Sequence, residues 1–287
     1  YLFNYHYFQK QYENDIIKNN DEEKTKQLKK LVTPFILRRN KKEVLTELPD
    51  KIEQNIILPF NDEEEKLYVA NLAEANKELQ ELYDLEGSDK MQILKLLTRL
   101  RQLCLEPRLV YDDIDQPSSK LKACMELIKT MQENKQKVLL FSSFTSVLDL
   151  IAEECQKAGI TYYMLTGSTN KEDRRELVSR FQKDDTTVFL ISLKAGGTGL
   201  NLTSAEAVIH FDPWWNVSAQ NQATDRAYRI GQKNNVQVFN LVMKDSVEEK
   251  IIELQKRKKE LADMFVENNS GGLSQMSKED ILSLFTM

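Results

Sequence analysis

The sequence predicts an α/β fold in which a mainly helical region precedes a parallel sheet and a long charged helix follows it. Glycine is absent before Gly87, whereas six of the nine glycines lie between Gly159 and Gly231. In that glycine-containing part, short apolar runs alternate with helical stretches, which is typical of βαβ units and a parallel sheet. After it, a stretch rich in charged residues continues a helical pattern from about 246 to 265.

The helical region is predicted to contain two helices. Asn61 is placed to cap a helix that starts near Asp62, because acidic residues fill its first turn, where the helix dipole favours them. A second helix is predicted over about 91–103 from its repeating Ile and Leu residues. Before both helices, residues 51–58 predict a short strand that is bounded by prolines.

Five apolar runs predict the main strands of the sheet. They are residues 138–142, 161–165, 187–192, 208–211 and 236–242. Ligands of parallel sheets bind beyond the carboxyl ends of the strands. The chemistry is therefore expected in the loops that follow Ser142, Leu165, Ser192 and Phe211.

Composition excludes several kinds of protein. The 287 residues are 41% hydrophobic and 30% charged, which supplies enough apolar surface for a buried core and argues against wholesale disorder. The net charge of −5 excludes a uniformly basic surface but not a local basic strip. Three cysteines without a CxxC pair argue against a disulfide framework or a cysteine zinc site, and two histidines exclude a multi-histidine metal site. No apolar run reaches the roughly 18 residues of a membrane span, so no membrane partner is expected.

A glycine-rich loop follows the third of the five apolar runs. Residues 194–199 hold three glycines in four positions, which permits positive φ angles and a close approach of backbone amides to a ligand. This segment is interpreted either as a phosphate-contacting loop, to which Lys194 adds charge, or as an ordinary flexible turn. By itself, a single glycine cluster favours the turn.

Residues 222–232, with the sequence QATDRAYRIGQ, predict a helix that a glycine ends. On such a helix Gln222, Arg226 and Arg229 share one face. Two arginines one turn apart suit a polyphosphate or a pair of carboxylates. The alternative is an ordinary surface ion pair between Arg226 and the adjacent Asp225, and the spacing leaves both interpretations open.

Three further segments have both a structural and a functional interpretation. Trp214 and Trp215 follow the fourth apolar run; at least one is expected in the core or partly so, and the other is available to stack or wedge against a nucleic acid. Gly167 and Ser168 follow the second run, where hydroxyls and helix-start amides either contact phosphate or simply cap the next helix. The basic run 38–42 is either solvated charge or a means of fixing its segment against phosphate or acidic neighbours.

Taken together and in order, these segments resemble the Swi/Snf-type family of ATP-dependent double-stranded DNA translocases, within helicase superfamily two. The resemblance covers nearly the whole chain and is to the C-terminal part of the motor, which contains the second RecA-like lobe. It rests on PFILRRNKKEVLTELPDK (34–51), LRQLCLEP (100–107), KVLLFSSFTSVLDLI (137–151), LTGSTNKEDR (165–174), ISLKAGGTGLNL (191–202), HFDPWWN (210–216) and QATDRAYRIGQ (222–232). The last three are highly specific.

The resemblance implies a fold and a division into domains. The fold would be a RecA-like parallel sheet with helices on both faces. Residues 1–58 would be the tail of the first-lobe region and a linker, and residues 59–118 a helical insertion with a connection. Residues 119–245 would form the second lobe, and residues 246–287 a brace helix, which folds back on the first lobe, with a C-terminal tail.

The resemblance also implies roles for individual residues. Arg226 and Arg229 would be the catalytic arginines, facing ATP that the first lobe holds together with Mg²⁺. Nucleotide contacts would also come from Gly197, Gly199 and Gln222. One DNA strand would be held by its backbone, with little sequence preference, through Ser142, Ser143, Gly167, Ser168, Arg174, Lys194, Ala195, Gly196 and Trp214.

The sequence contains neither a GxxxxGK[ST] motif nor a DEAH-like acidic box. Since both belong to the first lobe, we expect the chain to be the C-terminal part of a longer enzyme and to hydrolyse no ATP at a useful rate alone. The expected partners are the double-stranded DNA backbone and the first motor lobe. The alternative function is a regulatory or scaffolding module that contacts RNA polymerase or repair proteins through the helical insertion. The expected location is the bacterial cytoplasm, at the nucleoid, or the nucleus in a eukaryote.

Overall fold

The computed structural model describes residues 5–13, 21–32, 49–84, 90–196, 199–265 and 283–285. These residues form two compact units, of which one takes the described residues up to 32 with 255–265 and the other takes 49–254 with 283–285. In the first unit, helix α1 (Tyr5–Phe8) is followed by a π-helical turn (Gln9–Glu13). Helix α2 (Glu22–Val32) begins after Asp21, whose carboxylate accepts a hydrogen bond from the Glu23 amide at 3.0 Å.

The second unit is built on a six-stranded, fully parallel sheet. Its strands are β1 (Lys51–Leu58), β2 (Val138–Ser142), β3 (Tyr162–Leu165), β4 (Val188–Ser192), β5 (Ala207–His210) and β6 (Val236–Met243). Their order across the sheet is β1-β6-β5-β2-β4-β3. The predicted α/β fold with a parallel sheet is therefore confirmed, and each expected strand lies within about one residue of its predicted bounds, as is usual for element ends.

Strand β1 occupies one edge of this sheet. It pairs in parallel with β6, from Lys51 opposite Val236 to Leu58 opposite Met243. The sequence interpretation placed residues 51–58 in a linker that precedes the lobe, and this placement needs correction. The strand belongs to the sheet because it completes a ladder with β6 and because Ile56 and Leu58 pack on the same core as the central strands.

Two helices precede the central strands, α3 (Asp62–Asp84) and α4 (Lys90–Leu105), and they pack against each other. The predicted cap of α3 is confirmed, since Asn61 Oδ1 accepts from the backbone of Glu63 and Glu64 at 3.0 and 2.9 Å. The Glu64 carboxylate in turn accepts from the Asn61 amide at 3.3 Å, which completes a capping box.

Helices cover both faces of the sheet, as predicted. One face carries α5 (Ser119–Glu133) and α6 (Thr145–Lys157). The other carries α7 (Lys171–Lys183), α8 (Leu193–Gly196) and α9 (Val217–Thr224). Side chains alternate along each strand, so that Leu140 enters the first core cluster while Leu139 and Phe141 enter the second.

The last helix, α10 (Val247–Phe265), confirms the long charged helix predicted from about 246 to 265. Its first turns share a third core cluster with α3, α4 and the end of β6. There the Lys120 ammonium contacts both carboxylate oxygens of Glu248 at 2.7 Å, and both side chains are buried. The start of α10 is thereby joined to α5 inside the same unit.

Candidate functional site at the carboxyl edge of the sheet

The loops that were expected to carry chemistry lie along one edge of the sheet. Because all strands are parallel, their carboxyl ends point the same way, and Ser142 at the end of β2 is opposite Ser192 at the end of β4. His210 at the end of β5 is opposite Phe141, one residue before Ser142. Leu165 ends β3 opposite Ile191. These four loops therefore lie along one edge of the sheet, and the expectation that they carry the chemistry stays a prediction.

The glycine-rich loop begins as α8, directly after β4. Lys194 is exposed, whereas Ala195 and Gly196 are buried against the sheet. A Cβ atom on Gly196 would lie 2.9 Å from Cε1 of Phe141, so this glycine is required for close packing. Gly199 is exposed and has φ of +30°, and the predicted nucleotide contact Gly197 lies outside the described residues.

The prediction of one helix over residues 222–232 is wrong beyond residue 224. Helix α9 ends at Thr224, and Arg226 and Arg229 lie on the tight turns that follow. The cause is tertiary hydrogen bonding: the carbonyl oxygen of Arg226, which would bond within a continuing helix, accepts from the Leu202 amide at 3.0 Å. Likewise, the Ala227 carbonyl oxygen accepts from the Gln232 side chain at 3.3 Å.

The two arginines therefore do not share a helix face, but they remain neighbours with different environments. Arg226 is only 7% exposed, and its Nε donates to the carbonyl oxygen of Gly196 at 3.0 Å. Arg229 is exposed, as is Gln222 on α9. Burial, and after it the positive charge of Arg229, lowers the pKa of Arg226, while Asp225 partly offsets the shift. A guanidinium in such surroundings gains from a nearby anion.

Asp212, just after β5, is the centre of a buried polar network at the same edge. Its carboxylate accepts from the Ser142 hydroxyl at 2.7 Å, from the Ser143 amide at 3.0 Å and from the Arg101 guanidinium at 2.8 Å. The Ser143 hydroxyl also donates to it. Ser142 is completely buried, so the expectation that this side chain contacts DNA is corrected: its hydroxyl orients Asp212. Ser143 is half-buried and reaches the surface.

The two tryptophans follow Asp212 and Pro213 in the chain and are both half-buried. Trp214 packs on the core cluster of α7, α8 and α9, and its backbone amide donates to the Gln220 side chain at 3.3 Å. Trp215 packs instead on the cluster of α3 and α4. Each ring thus has one buried and one accessible part, as expected for at least one of the pair.

The loop after β3 presents Gly167 and Ser168 to solvent. Asn170, not Ser168, caps α7, since its side chain accepts from the Glu172 and Asp173 amides at 3.0 and 2.9 Å. Arg174, on the first turns of α7, donates to the Ala195 carbonyl oxygen at 3.4 Å. This contact joins the loops that follow β3 and β4, so both lie within one continuous edge.

Two family models match successive parts of the chain. The SNF2-related domain matches residues 1–109, and the helicase conserved C-terminal domain matches residues 119–231. The chain belongs to the SNF2 family. The resemblance of its motifs to that family is thereby confirmed, and so is the RecA-like fold of its sheet.

Relatives within the SNF2 family extend over almost all of this chain. The uncharacterized ATP-dependent helicase of Mycoplasma pneumoniae is 38% identical over 270 residues, which are 92% of this chain and 26% of that protein. The putative ATP-dependent helicase/translocase YwqA of Bacillus subtilis is 35% identical over 98% of this chain and 31% of its own length. The structure of the Sulfolobus solfataricus SWI2/SNF2 ATPase core in complex with dsDNA matches with a TM-score of 0.68 at 31% identity, over 99% of this chain and 60% of that one. The chain thus spans about a quarter to a third of the length of these curated relatives.

Sequence reasoning about this SNF2-family chain missed two residues of the site, Arg101 and His210. Arg101 interrupts the apolar pattern of α4, and this misplaced charge was the signal that could have found it. His210 is 1% exposed, and its Nε2 lies 2.9 Å from the Thr224 hydroxyl oxygen at the end of α9. Burial lowers the pKa of His210 to about 4. Nothing in the sequence distinguishes this histidine from an ordinary core residue.

Three basic side chains lie on the loops along this edge. Arg226, Arg229 and Lys194 supply positive charge on neighbouring loops. In the part of the chain that the structure describes, no group of three or more His, Cys, Asp or Glu side chains is placed to hold a metal ion. The same described residues include no helix long and apolar enough to cross a membrane.

The basic run 38–42, including Arg38 and Arg39, lies outside the described residues, and so does most of the predicted C-terminal tail after residue 265. The two interpretations of that basic run therefore stay predictions.

Proposed function

We propose that this chain is the second motor lobe of an ATP-dependent translocase or remodeller of double-stranded DNA. The observation that carries the proposal is the guanidinium of Arg226, held by Gly196 next to the exposed Arg229. Arginines in such a place neutralise the charge that develops on the γ-phosphate as it leaves, which is how arginine fingers accelerate phosphoryl transfer. Holding Arg226 in advance lowers the cost of ordering it when the two lobes close.

The residues present fit the phosphate end of ATP and not its metal. Arg226 and Arg229 bring positive charge, and exposed Gln222 and Gly199 offer an amide and a backbone to the nucleotide. Mg²⁺ is assigned to a first motor lobe, and when bound it neutralises phosphate charge there. This chain contributes only the arginines and their orientation, so we predict that it is inactive alone.

The same edge is proposed to hold one strand of DNA by its backbone. Residues along this edge offer amides, hydroxyls, positive charge and an aromatic surface. They are exposed Gly167, Ser168 and Lys194 and half-buried Ser143, Arg174 and Trp214. Ala195 and Gly196 act behind them, because their carbonyl oxygens hold Arg174 and Arg226. Contacts to phosphate position DNA without reading its sequence. The dsDNA bound by the Sulfolobus relative, and the name helicase/translocase of the Bacillus relative, support this part of the proposal.

The proposed organisation follows the expected domain limits, apart from strand β1. Residues 59–118 would form the helical insertion, 119–245 the main body of the lobe, and 246–287 the brace helix and tail. The bacterial relatives favour a location at the nucleoid.

The test is to titrate a short fluorescent duplex with the purified chain at several salt concentrations, and to assay ATP hydrolysis in the same samples. We expect the chain to bind the duplex weakly, with an affinity that falls as salt rises and does not depend on the DNA sequence. We expect no ATP hydrolysis in the same samples. Robust DNA-stimulated turnover by the chain alone would contradict the assignment of Mg²⁺ and the catalytic acid to another lobe. Absence of binding at every salt concentration would contradict the proposed DNA edge.

The rival proposal, a scaffolding module that contacts RNA polymerase or repair proteins, is separated by a second experiment. Arg226→Ala with Arg229→Ala is introduced into the longer protein that contains this chain. Lost ATPase activity with retained DNA binding supports the motor. Unchanged ATPase activity would reject it in favour of the scaffold.

A further inference from the structure

Arg101 belongs to the helical insertion, yet its side chain ends in the site at the carboxyl edge of the sheet. It lies on α4, and its guanidinium contacts Asp212 at 2.8 Å, Ser143 Oγ at 2.9 Å and the carbonyl oxygen of Pro213 at 3.2 Å. The side chains of Arg101 and Asp212 are only 10% and 0% exposed. A charge so far removed from water is tolerated only with closely placed partners.

These contacts join two loops that belong to different strands. Ser143 follows β2, and Asp212 and Pro213 follow β5. Aromatic rings enclose the guanidinium as well: its carbon lies 4.9 Å from the ring centre of Phe144 and 5.7 Å from that of Trp215. A planar guanidinium serves this arrangement better than an ammonium, because it binds oxygen atoms in its plane and stacks on rings with its faces.

Apolar side chains anchor the helix that carries this arginine. Helix α4 is anchored by Leu97, Leu100 and Leu103, which are buried in the cluster shared with α3 and α10. Arg101 is turned instead toward the two loops, where its side chain makes the contacts given above. Ser143 and Trp214, which directly adjoin the network, are two of the residues proposed to face DNA.

We propose that Arg101 is a positioning residue through which the helical insertion fixes the DNA-facing loops after β2 and β5. It contacts no substrate; it acts through Asp212, Ser143 and the backbone of Pro213. Movement or displacement of the insertion then alters the grip on DNA without touching the arginines that serve ATP. This inference rests on the proposed function, because it assumes that those loops meet DNA.

The chain's tryptophans provide a direct probe of the loop. The only two are Trp214 and Trp215, so tryptophan fluorescence reports on this segment alone. The test compares the wild type with Arg101→Met and with Arg99→Met, a matched control two residues away on the same helix. The Arg99 side chain is 44% exposed and lies 3.9 Å from a carboxylate oxygen of Glu74.

Arg101→Met is expected to shift tryptophan emission to the red, to increase quenching by acrylamide and to weaken duplex binding about tenfold, equivalent to about 1.4 kcal/mol. Arg99→Met is expected to match the wild type in all three. Emission, quenching and affinity that are unchanged in Arg101→Met would overturn the inference. A wild-type chain that binds no duplex defeats the proposed function and the DNA role of Arg101, whereas the quenching difference still decides whether Arg101 orders the loop.

A second variant separates positioning from folding, because removal of one partner from a buried ion pair can unfold a protein. Arg101→Met combined with Asp212→Asn leaves no unpaired buried charge, and urea unfolding measures how much stability returns. Recovered stability with DNA affinity still reduced supports a positioning role. Recovery of both together would show that Arg101 serves folding only, and would overturn the inference.

Discussion

The guanidinium of Arg226 is held by the backbone of Gly196, with 3.0 Å between Arg226 Nε and the Gly196 carbonyl oxygen. The Arg226 carbonyl oxygen is held in turn by the Leu202 amide at 3.0 Å. The glycine-rich loop and the arginine segment are separate motifs in the sequence, but these two hydrogen bonds join them into one unit of the structure. A displacement of either must move the other.

Gly196→Ala should disturb this unit. The added Cβ would lie 2.9 Å from Phe141, whose ring is fully buried and stacked on His210 with ring centres 5.7 Å apart, so the ring cannot move aside cheaply. We expect a loss of about 1–3 kcal/mol in the free energy of unfolding, as is typical of overpacking. Urea denaturation measures it. Gly167→Ala is the control, because nothing lies within 4 Å of its added Cβ, and equal stability of the two variants would contradict the packing argument.

Arg226→Ala should abolish most DNA-stimulated ATP hydrolysis when the chain is joined to the first motor lobe that the proposed function requires. Arginine fingers contribute about 10³-fold or more to kcat, so a loss of that order is expected with duplex affinity preserved. Arg226→Lys should rescue little, since an ammonium lacks the Nε that bonds Gly196 and the fork that matches phosphate. Arg180→Ala is a suitable control because that arginine is exposed and pairs with Glu176, one turn away on α7. A variant of Arg226 that keeps wild-type kcat would reject its catalytic role.

The central strands β2, β4 and β5 were predictable because each is a short apolar run that is buried on both faces, and such runs carry their structure locally. Leu139, Leu140 and Phe141 illustrate this, since all three are buried although they point to opposite faces. The end of α9 was not predictable. One bond that stops the helix comes from Leu202, more than twenty residues earlier in the chain, and local periodicity contains no trace of it.

The candidate site was predicted only in part, namely where its residues follow directly from the ends of the strands. Loops at strand ends follow from topology, so Gly167, Lys194 and Trp214 were found from the sequence. The buried role of Ser142 depends on Asp212, which is 70 residues away in the chain and adjacent only after folding. The role of Arg101 was not predictable for the same reason as that of Ser142, because its partners lie more than forty residues further along the chain.

The buried pair Lys120–Glu248 predicts a strong effect on stability. Lys120→Met removes the ammonium that pairs with the Glu248 carboxylate, so this carboxylate stays buried without a positive partner from Lys120. It still accepts a hydrogen bond from the Met243 amide at 2.8 Å. Removal of one partner from such a pair costs about 3–5 kcal/mol in the free energy of unfolding. Combining it with Glu248→Gln should restore much of that loss, since no charge is then stranded. A single-variant loss below about 1 kcal/mol, the value of an exposed pair, would show that water reaches the site.

The folded chain should lose stability in acid because of His210. The Thr224 hydroxyl donates to the Gln220 carbonyl oxygen at 3.3 Å, so its oxygen is left to accept from His210 Nε2, and His210 Nδ1 has no hydrogen-bond partner among the described residues. Protonation would therefore place a charge in the core, and burial lowers the pKa of His210 from 6.5 to about 4 against the opposing influence of Glu53 and Asp212. Between these two pH values the unfolded chain binds more protons than the folded one, so the free energy of unfolding rises with pH. The contribution of His210 is fully present above about pH 6.5 and falls by about 3 kcal/mol as the pH drops to about 4.

The raised pKa of Glu248 acts in the opposite sense, so the pH dependence of the wild type must be compared with that of a variant. Urea unfolding of the wild type and of His210→Phe across this range isolates the histidine, and parallel pH profiles for the two proteins would show that His210 titrates normally.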